Sequence, residues 1–245
     1  MGNRLGSLFL IIGWLIASNA AAVAQKPAEK PRVPPGRDPG GVAVAIIGSG
    51  IDYTRPEIAA RLARDGEGEI IGWDFLDNDR RPYERCSRAS VTVCAGHLGG
   101  NAQVRIMPLR ASLDTPQSMV QAVKAAAQMQ AQLVLATLAP LPERFVIEAA
   151  QQYPRLFFIG VISDAQPDSR NVVLNTGYLA VPADLQDDRG IRQYAPGIAA
   201  EYSRMAALCL ASNRNVADCV RTESRTGVDR HLSQFMPGPS PSPKP

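Results

Sequence analysis

Ser49, Asp52 and His97 are the residue types of a nucleophile, a carboxylate and a base. A serine hydroxyl is a poor nucleophile until a histidine takes its proton, and a carboxylate holds that histidine in the right tautomer. On paper the three make a hydrolytic site, but triads are defined by geometry, and each residue also has a plainer reading. His97 precedes Leu98-Gly99-Gly100, a turn pattern, and suits a polar loop. Asp52 lies past the Gly48-Ser49-Gly50 turn, and Ser49 suits backbone hydrogen bonding within it. The second histidine, His231, has no evident partner. Asp77, Asn78 and Asp79 offer oxygens of the kind calcium takes, but three consecutive side chains do not all point one way. They read as a surface loop, with no metal and no cofactor expected. Gly48-x-Gly50 is a weak match to a dinucleotide fingerprint, because the third glycine position is Tyr53 and Arg55-Pro56 follows.

The elements that must hold these residues alternate strand and helix. Val42 to Ile47 is an unbroken apolar run, as in a strand buried on both faces. The glycine turn follows, and Pro56 opens a short helix with Ile58, Ala59 and Leu62 on one face. Further strands are expected at Glu69–Phe75, Val104–Leu109, Leu133–Leu138, Leu156–Ile162 and Asn171–Leu174, with a polar loop over Leu76–Arg88. Thr115-Pro116 starts a helix by cap and first-turn proline, Pro142 starts another through Tyr153, and Ala195–Ala211 is the last long one. The pattern predicts an α/β fold, a three-layer doubly wound and mostly parallel sheet. Chemistry in such sheets sits at the carboxyl ends of strands, where the glycine turn lies.

Val42 to Leu62, VAVAIIGSGIDYTRPEIAARL, resembles the first motif of the subtilisin-like serine peptidases, the subtilases. In that family strand one ends in an Asp, then a small residue, Gly and Ile, and the Asp is the orienting carboxylate of an Asp/His/Ser triad. Gly48 stands at that position here. Ile71-Gly72-Trp73-Asp74-Phe75, the acid-rich loop and Pro82 are similar to the family's second strand and the loop before its His motif. In the His region Thr92, Ala95 and Gly96 match, and the base position is Ser90. Val104 to Arg110 resembles the strand that follows.

The apolar run Phe157–Ile162 leads to Ser163-Asp164, so the oxyanion-donor position is Asp164. An ionised carboxylate cannot donate a hydrogen bond, and its charge repels an oxyanion. Ala206-Ala207-Leu208 anchors the nucleophile helix and puts the nucleophile near Pro196, with no Ser between Gly190 and Tyr202. The segment from Asp164 to Pro196 is shorter than the family's, so the resemblance implies a fold truncated in its C-terminal half. It implies a subtilase-like domain without peptidase activity, a pseudoenzyme whose residual cleft holds an extended peptide or protein. The alternative is an active serine-type endopeptidase whose site is rewired through Asp52, His97 and Ser49.

Residues 1–24 read as a signal peptide, with Arg4, an apolar core at Leu5–Ala17 and Ala22-Val23-Ala24 before the cut. Its apolar core is too short for a stable membrane span. The expected location is secreted or periplasmic. Residues 25–40 read as a Pro-rich linker, 41–235 as the domain and 236–245 as a Pro-rich disordered tail. The net charge of +3, or +2 once Arg4 is removed, points to no nucleic acid. Arg80, Arg81, Arg85 and Arg88 are interleaved with Asp77, Asp79 and Glu84 and suit a solvated loop. Cys86, Cys94, Cys209 and Cys219 suggest two disulfides. Local pairing is the simplest of three connectivities, and the spacing does not decide among them.

Overall fold

A computed structural model of the chain describes residues 29–85, 104–112, 116–163, 173–183 and 195–225. Seven strands form one sheet: β1 (Val42–Gly48), β2 (Trp73–Asp74), β3 (Val104–Arg110), β4 (Leu133–Leu141), β5 (Phe157–Ile162), β6 (Val173–Leu174) and β7 (Tyr178–Pro182). Their spatial order is β2-β3-β1-β4-β5-β7-β6. Every pairing is parallel except β6 with β7. The helices are α1 (Pro56–Ala59), α2 (Pro116–Gln128), α3 (Glu143–Gln152), α4 (Ala195–Ala211) and α5 (Val216–Arg225).

The apolar runs explain the layers. Successive side chains of a strand point to opposite faces, so Val42, Val44 and Ile46 join one core while Ala43, Ala45 and Ile47 join another. Ile58 of α1 and the small residues of α4 (Ala199, Ala200, Ala206, Ala207) fill the first core. Met119, Val123 and Ala126 of α2 and Val146 and Ala149 of α3 fill the second. The fold is thus three-layered α/β, with helices on both faces of a mostly parallel sheet.

Four features depart from the sequence reading. The strand expected at Glu69–Phe75 is reduced to Trp73–Asp74. Pro108 of β3 has no N–H, and the backbone at Gly72 passes so close that a Cβ there would lie 2.6 Å from the Pro108 carbonyl oxygen. Ile70 and Ile71 turn aside instead, Ile70 bridging Arg64 and the Ile71 N–H donating to the Ala63 carbonyl at 2.8 Å. Strand β7 and helix α5 are additional elements, the latter capped by Asn215 Oδ1, which accepts from the Asp218 N–H at 3.0 Å.

The fourth departure is the segment before β1. Residues 29–40 have no regular secondary structure, as a Pro-rich linker should, yet they are not weakly held. Tyr53 Oη donates to the Pro31 carbonyl at 2.9 Å, and Val33 packs on the first core. Arg64 is 4 % exposed, and its guanidinium donates to the carbonyls of Pro34 and Gly68, each at 2.7 Å. Asp38 accepts from the backbone N–H groups of Arg64 and Gly40. Side chains 22, 30 and 44 residues away thus make this segment a strap across the domain.

Candidate functional site

The chain after β1 enters α1 on one face of the sheet, and the chain after neighbouring β4 enters α3 on the other. The carboxyl ends of β1 and β4 therefore flank a topological switch point, where open α/β sheets bind their ligands. Gly48 ends β1 there. Its register partner is Arg110 of β3, and Arg110 in turn partners Asp74 of β2. Gly48, Arg110 and Asp74 form a row across three strand ends.

The Arg110 side chain ties this row together. Its Nε donates to the Ser49 carbonyl at 2.8 Å, and its Nη1 lies 2.9 Å from Asp74 Oδ2 and 2.7 Å from Asp77 Oδ2. Asp74 is fully buried. Its Oδ2 also accepts from Lys30 Nζ at 2.6 Å, while Oδ1 accepts from the backbone N–H groups of Leu76 (2.9 Å) and Asp77 (3.0 Å). Lys30 Nζ further lies 2.8 Å from Asp77 Oδ2 and 3.1 Å from Asp79 Oδ2.

These contacts set the charge states. Burial works to raise the Asp74 pKa, but hydrogen bonds from Lys30, Arg110 and two backbone N–H groups hold it below the usual carboxylate range. Asp77 is lowered chiefly by Lys30. Burial works against charge on Lys30, yet the three carboxylates raise its pKa. Burial, chiefly, pushes Tyr53, whose hydroxyl holds the strap, up to about 12, with Asp79 and Tyr83 adding to the rise and Arg81 and Lys30 opposing it.

Ser49 gives its hydroxyl hydrogen to the Glu84 carboxylate. Glu84 is brought there by the bonds Ile51 N–H to Pro82 carbonyl (3.0 Å) and Glu84 N–H to Ile51 carbonyl (3.2 Å). Gly50 makes the approach feasible. It has φ +120°, and a Cβ there would lie 2.9 Å from Glu84 Cβ. Asp52 Oδ1 accepts from the N–H and hydroxyl of Thr54, an Asx turn within its own loop. The serine that the sequence set beside Asp52 and His97 is thus bonded to a different carboxylate.

His97, His231, Ser90 and Asp164 lie outside the described residues, as do Cys86 and Cys94. Pro196 is the second residue of α4, which packs on β1, β4, β5 and β7. Cys209 and Cys219 form a disulfide joining α4 to α5, with Cα atoms 5.8 Å apart. A cavity of about 460 Å³ lined by Gln130, Gln132, Gln152, Tyr153 and Arg155 sits at the amino ends of β4 and β5, remote from Gly48. Among the described residues no helix is long and apolar enough to cross a membrane.

The sequence reading missed Lys30, Asp74, Arg110 and Glu84 as site residues. Two of them carried a signal: Asp74 is an acid inside the apolar stretch EIIGWDF, and Arg110 is the charge that closes VRIMPLR. A charge at a buried strand end needs a partner.

No protein-family model matches the chain, and no curated protein matches it. Among solved structures it is similar to a cold-adapted subtilisin-like serine proteinase, at 14% identity and a TM-score of 0.45, over 82% of this chain and 88% of that one. It is also similar to a mutant of the protease domain of PatA, at 9% identity and 0.41, over 79% and 90%. A third is the patellamide maturation protease PatG, at 10% identity and 0.41, over 82% and 87%.

Proposed function

We propose that this chain is an exported, subtilase-like domain that has lost peptidase chemistry and works as a binding module. The observation that supports this is Gly48. The residue that ends β1 at the switch point has no side chain, so no carboxylate is present there to orient a base. The neighbouring acids serve other partners, Asp74 being held by Lys30 and Arg110. With Ser90 at the base position, Asp164 at the oxyanion position and Pro196 at the nucleophile position, acyl transfer has no route through this site. In this reading the switch point between the ends of β1 and β4 serves as the place where an extended peptide or protein binds. In this reading residues 1–24 are the export signal, 41–235 the domain and 236–245 a tail. The Cys209–Cys219 disulfide fits an oxidising compartment.

One observation favours a second reading. Ser49 is hydrogen-bonded to Glu84 at the end of the central strand, a nucleophile beside a carboxylate base. Labelling of the folded chain with a fluorophosphonate probe, read by intact mass beside an active subtilase, separates the two readings. The binding reading expects no adduct. A stoichiometric adduct that forms on the folded chain but not on heat-denatured chain would overturn it, and mapping that adduct to Ser49 would establish the Ser49–Glu84 pair as the site.

A further inference from the structure

We propose that Lys30 is a built-in cation for the acid-rich loop 74–79, so that the loop's order does not depend on a bound metal ion. Asp77 and Asp79 carry oxygens of the kind calcium takes, and the donor set can be tested against it. The carboxylates of Asp74, Asp77 and Asp79 converge from three directions on one point, and Lys30 Nζ is at that point, 2.6, 2.8 and 3.1 Å away. Three carboxylates match the three donors of an ammonium, Asp79 presenting both of its oxygens. The same Oδ2 atoms of Asp74 and Asp77 also accept from Arg110 Nη1. A divalent ion would have to displace Nζ and share those two oxygens with a guanidinium. The residues therefore do not fit a metal while Lys30 is in place.

The strap makes this cation a permanent fixture. Lys30 is followed at once by the Pro31 carbonyl held by Tyr53, then by Val33 packed against the first core and Pro34 on Arg64. Its backbone is thus fixed next to the loop, and the ammonium is delivered with little entropic cost. The effect extends beyond the loop, because Arg110 connects Asp74 to the Ser49 carbonyl. Lys30 is in this sense a positioning residue for the turn at the end of β1.

The test is the thermal midpoint of the full chain, and of its Lys30→Ala and Lys30→Arg variants, in chelator, in millimolar calcium and in sodium chloride of equal ionic strength. The wild type should shift by no more than about 1 °C between chelator and calcium. Lys30→Ala should melt lower by about 5 °C or more in chelator and regain at least half of that in calcium, but not in sodium chloride. Lys30→Arg, which keeps the charge, should stay nearer the wild type. If Lys30→Ala is unfolded in chelator, circular dichroism replaces the midpoint. Refolding on calcium addition supports the proposal, and failure to refold overturns it. It is equally overturned by a wild type that calcium stabilises, by a Lys30→Ala variant that melts like the wild type, or by one that calcium leaves unchanged.

Discussion

Asp74 and Arg110 are register partners at the ends of two parallel strands, and one oxygen of Asp74 serves both Arg110 and Lys30. Removing a partner from a buried, hydrogen-bonded ion pair leaves a desolvated charge behind. Asp74→Ala should therefore cost about 3–5 kcal/mol of unfolding free energy. Asp74→Asn keeps an acceptor for the Leu76 and Asp77 N–H groups, and should cost about 1.5–3 kcal/mol. Urea denaturation of both variants checks the order. Equal losses would show that the whole effect is the charge, and that the two backbone hydrogen bonds add nothing to it.

The same cluster fixes how stability depends on pH. Asp74 and Asp77 have folded pKa values below the reference 3.8. Their contribution is therefore complete above 3.8 and fades as pH falls through the lowered folded values. Lys30 is raised above 10.5, so its contribution is complete below 10.5 and is lost as pH rises through the raised value. The difference in urea midpoint between wild type and Asp74→Asn should be flat from about pH 5 to pH 9 and shrink only in stronger acid. A difference that changes across neutral pH would contradict this assignment.

Gly50 tests the Ser49 turn. A Cβ there meets Glu84 Cβ, the Glu84 nitrogen and the Tyr83 carbonyl carbon within 2.9–3.0 Å, at a φ of +120°. Gly50→Ala should cost about 1–3 kcal/mol from crowding, with backbone strain added. It should also move Glu84 off Ser49, which a change in the Ser49 and Glu84 NMR shifts would report. Retained shifts and stability would mean that the turn relaxes freely.

The Cys209–Cys219 bridge closes a short loop between α4 and α5, with a sequence separation of 10. Cys209→Ser combined with Cys219→Ser should cost about 2–3 kcal/mol on the chain-entropy scale. Denaturation of the variant and of reduced wild type should agree. Both cysteines are buried in the first core, so a larger loss in the Ser variant than in reduced wild type would place part of their value in packing.

The sheet was legible because its strands are unbroken apolar runs and its long helices start at prolines or present small residues at helical spacing. The bounds of Ala195–Ala211 coincide with the expected helix. The strap was not legible. Lys30, Pro31, Pro34 and Pro35 have the composition of an unstructured linker, and their order comes from Tyr53, Arg64 and Asp74 further along the chain. The shortening of β2 likewise depends on Pro108 in a neighbouring strand. At the site, Gly48 and its turn were visible as a strand end. The pairing of Ser49 with Glu84 rests on a backbone path no local pattern encodes.

The position of β1 in the middle of the sheet also governs when the domain can form. Val42 pairs with Val104, and Val44 with Leu133, so the central strand waits for partners about 60 and about 90 residues later. Until β3 is made, β1 is an apolar strand with two open edges, and it keeps one open edge until β4 follows. The order of synthesis thus runs against the order of assembly, and the exposed edge of β1 is an aggregation hazard until its partners arrive.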